Sequence, residues 1–426
     1  MRHAAIESGT ALFLGAWIVG LCQFLFIGGY GFGRGYEMAA VARSLAEYGA
    51  YANPFAPAIT GPTALVPPIH PLFLAALIRI FHTPEAMRMA AVFANILANA
   101  SIAALLPRLA AVCCGNAKAG LLAGALWILS MRLLPQWDVS NTILGLLCFC
   151  LLTARNVRRG EGGIWAFGAG MLGGLLLLLN PATAFAMGPW LIWVFVRNRA
   201  GWRSAARYSA LAAAATALCV APWLVRNYRI WGVPVLRTSL GITLYSSNSD
   251  CAQPSLYQEA VSGCIQKTFP VDSEPEARLL RTLGEVRYDR LRTADTIRWI
   301  SSHPKRFAEL TAGRIVDFWF PDPAQAPYTC YAIWAITLLS IPGIVLMVRW
   351  REAIAPLIFG VWLIYPLLYY VVVSCDRYRY PILWTSLLPA GYALDAWLTS
   401  GARRVGGRWG GLPGPRGTPS SRSSSK

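Results

Sequence analysis

Apolar segments recur along the whole chain, and most approach the length that crosses a lipid bilayer. Eleven can be delimited, at roughly 11–30, 69–81, 87–107, 118–135, 141–154, 163–180, 182–196, 206–225, 331–348, 354–373 and 382–398. A hydrocarbon core about 30 Å thick needs about 20 helical residues, and only helices or closed barrels satisfy the backbone there. The pattern predicts an all-α polytopic membrane protein with about 10–12 transmembrane helices.

Charged residues are sparse in this chain, and the positive ones sit mainly between the apolar segments. Charged residues form 14% of the sequence, against about 25% in a typical soluble domain. Basic loops at 155–160, 197–203 and 349–351 are predicted to be cytoplasmic by the positive-inside rule. The net charge of +18 therefore indicates membrane orientation, and we predict no nucleic-acid partner.

Alternation from these basic loops places three segments on the outer side of the membrane, at 31–68, 226–330 and 374–381. A cytoplasmic N-terminus then requires an even number of crossings, although eleven segments were delimited. Segment 69–81 is the weakest candidate because it is short and begins with prolines, so it can dip into the membrane without crossing it. Residues 1–398 are predicted to form one transmembrane domain, and 399–426 a disordered, basic cytoplasmic tail.

The long external segment 226–330 carries apolar residues at spacings of three and four, with Arg and Glu between them. This periodicity predicts amphipathic helices that lie on the membrane face and pack over the spans. Cys251 and Cys264 occur together in this segment. An oxidising compartment permits a disulfide between them, and two free thiols are the alternative.

A single carboxylate, Glu37, follows the first apolar segment and is predicted to begin a helix. The apolar face of that helix, formed by Met38, Val41, Leu45 and Tyr48, can lie flat on the bilayer. Glu37 then stands at the membrane edge, where partial desolvation raises the pKa of a carboxyl group toward the range of a general base. The alternative is a carboxylate that merely complements the helix dipole.

The loop after this helix, "PAITGPTALVPPIHP", is rich in residues that fix the backbone. Proline restricts φ, and Gly61 permits a tight turn. Such stiffness is suited to the wall of a pocket above a span, although Pro-rich surface connections are also common.

Two arginine motifs lie on the predicted outer side, against the positive-inside trend. "APWLVRNYRIWG" carries Arg226 and Arg229, and "SCDRYRYP" carries Arg377 and Arg379. Guanidinium groups at headgroup level suit an anionic phosphate, which they bind in bidentate geometry. Pairing with Asp376 or with lipid headgroups is the alternative.

An ordered set of motifs over nearly all of residues 30–390 resembles the membrane glycosyltransferases of the GT-C superfamily. The motifs are "GYEMAAVARSLAEYG", "GPTALVPPIHPLFLAAL", "WDVSNTILGLL", "LNPATA", "APWLVRNYRIWG", "HPKRF" and "DRYRYPI". The chain is most similar to the bacterial family 39 type, the dolichyl-phosphate-mannose protein mannosyltransferase-like enzymes. The resemblance implies a bundle of about a dozen spans that moves a sugar from a polyprenyl-phosphate carrier to an acceptor, with inversion.

The resemblance also implies roles for particular residues. Glu37 corresponds to the catalytic acid of the first outer loop, although many relatives carry an Asp-Glu pair a few residues earlier, where this chain has Arg34 and Gly35. Asp138 corresponds to a second acidic position, and His70 stands where relatives often have Tyr. Substrate contacts are expected from these two residues together with Arg226, Arg229, Arg377 and Arg379.

The expected partners are a polyprenyl-phosphate sugar donor, membrane lipid, and an acceptor protein or glycan. The expected location is the bacterial inner membrane, with the active site facing the periplasm, and no cofactor or metal is expected. Two alternatives stay open: a lipid or sugar transporter or flippase, and a catalytically inactive GT-C-like subunit.

Overall fold

The computed structural model describes residues 2–28, 37–159, 163–196, 201–324 and 326–409, which are predominantly helical. No β-strand occurs in these ranges, only isolated pairings of Ala52 with Pro62 and of Ser255 with Ser374. In chain order the helices are α1 (Arg2–Phe26), α2 (Glu37–Tyr48), α3 (Ile69–Ile80), α4 (Pro84–Cys113), α5 (Ala117–Ser130), α6 (Val139–Arg159), α7 (Gly163–Leu179), α8 (Ala184–Val196), α9 (Trp202–Trp231), α10 (Leu240–Ser247), α11 (Leu256–Ser262), α12 (Ile265–Thr268), α13 (Glu274–Leu283), α14 (Glu285–Ser302), α15 (Pro304–Trp319), α16 (Pro327–Arg349), α17 (Ala355–Ile364), α18 (Leu367–Tyr370) and α19 (Tyr380–Trp409). Two short 3₁₀ helices are η1 (Pro181–Thr183) and η2 (Asp376–Tyr378).

Each of the eleven predicted apolar segments overlaps a helix, and the predicted all-α polytopic membrane fold is confirmed. Among the described residues, four stretches are long and apolar enough to cross a membrane: Glu7–Phe26, Pro84–Cys113, Trp202–Trp231 and Pro327–Arg349. Six shorter apolar helical stretches accompany them, at Ile69–Ile80, Ala117–Ser130, Val139–Ala154, Gly163–Leu179, Pro181–Val196 and Ala355–Tyr370.

Helices α1 and α4 run antiparallel. Gly9 of α1 lies against Ala104, and Gly20 lies against Ile96, so the end of α1 meets the beginning of α4. We call the face of the bundle where α1 ends the site face. The loop after α5 reaches the same face, because the side-chain amide of Gln23 donates to the carbonyl of Met131 at 3.1 Å.

Helix α3 does not cross the bundle. Arg79, near its end, donates to the carbonyls of Leu45 and Ala46 at the end of α2, at 3.2 and 3.3 Å. Helices α2 and α3 therefore lie side by side between the end of α1 and the start of α4, all at the site face. With 12 residues, α3 spans only about 18 Å. Without this segment, ten of the eleven predicted apolar segments remain, an even number.

The external segment forms α10–α15 on the site face, as the periodicity predicted. Of the two alternatives left open for Cys251 and Cys264, the structure has the disulfide and not two free thiols. The predicted disordered tail is partly wrong, because α19 continues to Trp409. Once a helix is nucleated in the bundle, each further residue adds a hydrogen bond at little cost. Residues 410–426 lie outside the described residues, as do 29–36 and parts of the basic loops at 155–160 and 197–203.

A buried polar network holds the chain between α5 and α6 in place. The side-chain amide of Asn99 donates to Ser140 at 3.0 Å, and the side-chain oxygen of Asn95 accepts from the backbone N–H of Leu134 at 3.2 Å. Because unpaired polar groups are costly in a buried environment, this network fixes one backbone path. That path leads to Trp137 and Asp138 at the start of α6.

Candidate functional site

A cavity of about 260 Å³ opens at the site face between the bundle and the external helices. Its walls come from the start of α2, the residues before α6, η1, the start of α10, α18 and η2. Asp138, Arg237 and Arg377 are the charged residues that line it. A larger groove of about 1010 Å³ between α16 and α19 contains no ionisable residue and therefore offers no acid–base chemistry.

Glu37 is the first residue of α2 and lies beside the cavity, next to Met38, which lines it. Burial raises the pKa of the Glu37 carboxyl group, while the charges of Arg377 and Arg237 act to lower it. No ion pair neutralises Glu37 within the described ranges. The structure thus brings Glu37 and Arg377 together at one cavity, with a carboxylate that binds a proton more tightly than usual.

The environment that buries Glu37 is protein and not lipid, which corrects one expectation from the sequence. Met38 and Val41 are buried in a cluster with Phe55 and Ile242 of the site face. Only Tyr48, 78% exposed, is free to meet the bilayer. An apolar helix face fits a protein core as well as a lipid surface, and here the external helices cover it.

Arg377 stands between two aromatic rings at the cavity wall. Its guanidinium carbon is 3.7 Å from the ring centroid of Trp137 and 5.3 Å from that of Tyr378. Asp376 does not neutralise it: one carboxylate oxygen of Asp376 accepts from the backbone N–H of Arg377 at 2.7 Å, and the other pairs with Arg132 at 2.7 Å. The alternative pairing of Arg377 with Asp376 is therefore not found between side chains.

Arg237 is a cavity residue that the sequence reasoning missed. Its Nε donates to the carbonyl of Leu65 at 2.8 Å, and the residue lines the cavity. Its charge acts on Glu37 together with that of Arg377. The available signal was its position on the same predicted external segment, a few residues beyond "APWLVRNYRIWG".

Asp138 and His70 are neighbours at the base of the site. Asp138 is buried, lines the cavity and accepts from the hydroxyl of Thr142 at 3.0 Å. His70 is buried beside the Asp138 carboxylate and the backbone of Pro135 and Gln136. His70 is not among the residues that line the cavity.

The other three predicted arginines lie away from the cavity. Arg226 donates to the carbonyls of Thr63 at 2.7 Å and Tyr51 at 3.0 Å, so it holds the loop after α2. Arg229 is exposed in the last turn of α9. Arg379 is buried and donates to the Trp319 carbonyl at 2.5 Å and to the Ser386 hydroxyl at 3.2 Å.

The sequence could not separate these arginines because a guanidinium group serves a carbonyl as well as a phosphate. The stiff loop itself does lie at the site, since Pro67 lines the cavity. The described part of the chain contains no group of three or more His, Cys, Asp or Glu side chains that could hold a metal ion. We therefore derive no step through a metal.

Comparisons with known proteins identify the fold. No protein-family model matches the chain, and no curated protein sequence matches it. Solved structures of the oligosaccharyltransferase AglB from the archaeon Archaeoglobus fulgidus are similar. The complex with an inhibitory peptide and a dolichol-phosphate has a TM-score of 0.53 at 11% identity over 95% of this chain and 52% of that one.

Two further oligosaccharyltransferase structures from the same organism agree. The complex with Zn and sulfate gives a TM-score of 0.53 at 13% identity, covering 92% of this chain and 50% of that one. The apo form gives 0.55 at 11% identity, covering 95% and 52%. The chain thus has a GT-C-type fold and spans about half the length of these proteins.

Proposed function

We propose that this protein is a glycosyltransferase of the GT-C type, and more narrowly of the family 39, mannosyltransferase-like type. In this proposal it transfers a sugar from a polyprenyl-phosphate carrier to an acceptor hydroxyl. One observation carries the proposal: Glu37, with a raised pKa, lies beside the cavity that Arg377 and Arg237 line, and the charges of both arginines act on its carboxyl group. A base beside an anion site is the minimum that inverting transfer from a sugar phosphate requires.

The reaction balances with these groups alone. The acceptor oxygen attacks the anomeric carbon from the face opposite the phosphate and forms the new C–O bond. The bond between the anomeric carbon and the phosphate oxygen breaks, and its electron pair leaves with the polyprenyl phosphate. Glu37 takes the proton of the acceptor hydroxyl. Its raised pKa increases the driving force for that transfer, as long as the carboxyl is ionised when the acceptor binds.

Arg377 and Arg237 are proposed to stabilise the charge that grows on the departing phosphate. Both guanidinium groups are held in place before the reaction, Arg377 by stacking on Trp137 and Arg237 by its hydrogen bond to the Leu65 carbonyl. Preorganised donors of this kind avoid reorganisation in the transition state. Asp138, which lines the cavity, is proposed to orient the sugar or acceptor, with His70 buried beside its carboxylate.

Arg226, Arg229 and Arg379 have no direct substrate contact in this proposal. Arg226 acts on the site only through the loop that it holds, because its guanidinium donates to the carbonyls of Thr63 and Tyr51.

The lipid part of the donor is proposed to enter from the apolar side of the cavity. Phe185 and Leu240 line this side and are 40% and 51% exposed. The dolichol-phosphate and peptide in one AglB structure support a lipid-linked donor and a protein acceptor as the first ligands to test. The cavity and the disulfide share the site face, and disulfides persist in oxidising compartments. We therefore propose that the site faces the periplasm of a bacterial inner membrane.

The direct test replaces Glu37 with Gln in the purified protein and measures transfer from a labelled polyprenyl-phosphate sugar. We expect the rate to fall by about 10²–10⁴-fold, the usual contribution of a general base. Glu47→Gln, on the exposed part of the same helix, is the matched control and should keep the wild-type rate. Equal rates for Glu37→Gln and wild type would remove Glu37 from the mechanism.

A further inference from the structure

The backbone segment that leads into Arg377 has no regular secondary structure of its own. Residues 371–375 lie between α18 and η2. Within this segment, the N–H of Val373 donates to the hydroxyl of Ser247 at 2.8 Å, and the carbonyl of Val371 accepts from the side chain of Asn248 at 3.0 Å. The segment is thus held from outside, by the last residue of α10 and the residue after it.

Ser374 is held even more closely, by two backbone hydrogen bonds. Its N–H donates to the carbonyl of Pro254 at 2.9 Å, and its carbonyl accepts from the N–H of Leu256 at 2.8 Å. Ser374 therefore forms a parallel pairing with Ser255. Only two residues separate Ser374 from Arg377, so a displacement of this pairing moves the arginine.

The partner of this pairing is itself a connection between two short helices, α10 and α11. Such a connection has few backbone bonds of its own, but here the disulfide ties Cys251 in the connection to Cys264, which lies between α11 and α12. Arg306 adds a bond to the carbonyl of Ala252 at 3.0 Å. A covalent bridge across a separation of 13 residues restricts the conformations open to the connection.

We propose that the disulfide between Cys251 and Cys264 is a positioning device for Arg377. It stiffens the connection that holds Val371–Ser374, and that segment places the guanidinium of Arg377 in the cavity. Other contacts share this task, since Asp376 is paired with Arg132 and Arg377 stacks on Trp137. Loss of the bridge should therefore weaken the placement without abolishing it. The role of Arg377 in catalysis rests on the proposed function, whereas the mechanical link does not.

The mechanical link is tested by hydrogen–deuterium exchange of the full-length protein in detergent micelles. In the double variant Cys251→Ala/Cys264→Ala, the peptide covering residues 371–376 should exchange about tenfold faster than in wild type, because its hydrogen bonds open more often. The matched control is Cys22→Ala/Cys148→Ala, which removes two exposed cysteines outside the bridge. Unchanged exchange in the bridge variant would overturn the proposal, whether or not the protein transfers sugar.

The catalytic consequence is tested by kinetics. The bridge variant should lose about tenfold in kcat/KM, as expected for a misplaced catalytic group. Combined with Arg377→Ala, it should lose little more than Arg377→Ala loses alone, since both changes act on one group. The acid limb of its kcat/KM profile should move to higher pH. The charges of Arg377 and Arg237 act to lower the pKa of Glu37, and in this variant Arg377 is no longer held in place.

Ser247→Ala removes one bond of the same segment and leaves the bridge intact. It should change hydrogen exchange, transfer rate and pH profile in the same directions as the bridge variant, but to a smaller extent. The proposal can therefore still be tested if the bridge variant fails to fold. Faster exchange of residues 371–376 with an unchanged rate and pH profile would separate the bridge from Arg377 and overturn the positioning role. A wild-type protein without transfer activity would instead contradict the proposed function, and the exchange data would still decide the mechanical link.

Discussion

Two loops on the site face border the same cavity but are held by different kinds of bond. The first loop, residues 49–68 after α2, is held by charged side chains that reach its backbone: Arg226, Arg237 and Glu285. The second loop, residues 371–379, is held largely by hydrogen bonds with the disulfide-tied connection and by Asp376. The difference separates Arg226, which lies away from the cavity, from Arg377, which lines it. Arg226 is occupied by carbonyls of the first loop, whereas Arg377 of the second loop keeps its guanidinium at the cavity wall.

The largest effect that this contrast predicts is on catalysis through the second loop. Arg377→Ala should lower kcat/KM by about 10²–10³-fold, since it removes a preorganised charge beside the leaving group. The melting temperature should fall less than in Arg226→Ala, because Arg377 stacks on Trp137, whereas Arg226 stacks on Trp223 and also donates to two backbone carbonyls. Arg229→Ala, at an exposed position, is the control. A large drop in melting temperature with an unchanged rate would mean that Arg377 has a structural role and not a catalytic one.

An intermediate effect is expected for the first loop, and it should be larger on stability than on catalysis. Arg226→Ala removes the donors to Thr63 and Tyr51 and the stacking on Trp223, whose ring centroid is 4.9 Å from the guanidinium carbon. Loss of charged hydrogen bonds of this kind costs about 2–3 kcal/mol. Hydrogen exchange should increase in residues 51–63 and stay unchanged in 371–376. Faster exchange in both segments would show that the two loops open together, and would contradict the view that they are held independently.

The smallest predicted effect concerns pH. Glu285 is buried and accepts from the N–H of Ala64 at 2.8 Å and from the hydroxyl of Thr238. Burial raises the pKa of its carboxyl group to about 7, although these hydrogen bonds act to lower it. A raised pKa in the folded state means that the unfolded chain releases its proton first as the pH rises. The stability contribution of Glu285 is therefore complete below about pH 4.5 and is lost as the pH rises through about 7.

Glu285→Gln keeps a side-chain oxygen acceptor and cannot ionise. The melting temperature of this variant should therefore vary less between pH 4.5 and 7 than that of wild type. Exchange of the second loop should show the same pH dependence in both proteins. An identical pH dependence of the melting temperature in variant and wild type would mean that Glu285 does not titrate in this range.

The helices were predictable from the sequence because a membrane core imposes length and apolarity on every crossing segment. The disulfide was only a possibility, because the occurrence of Cys251 and Cys264 in one segment allows a bridge without requiring it. The number of crossings was not predictable, because residues 69–80 are apolar enough to enter a membrane. The contact between Arg79 and the end of α2 is what places them beside α2. Site residues divide in a similar way. The sequence proposed Glu37 and Arg377 for the site, but it could not tell that Arg226 binds carbonyls and that Arg237 lines the cavity, because all guanidinium groups are chemically identical.

The course of α3 has a practical consequence. Because α3 turns back beside α2, the described ends of the chain, Arg2 and Trp409, lie on the same side of the bundle, opposite the cavity. Reporter domains fused at either end should accordingly fold in the same compartment. With the proposed orientation, a fluorescent protein that matures only in the cytosol should fluoresce at both ends and should not fluoresce when inserted into the turn between α3 and α4.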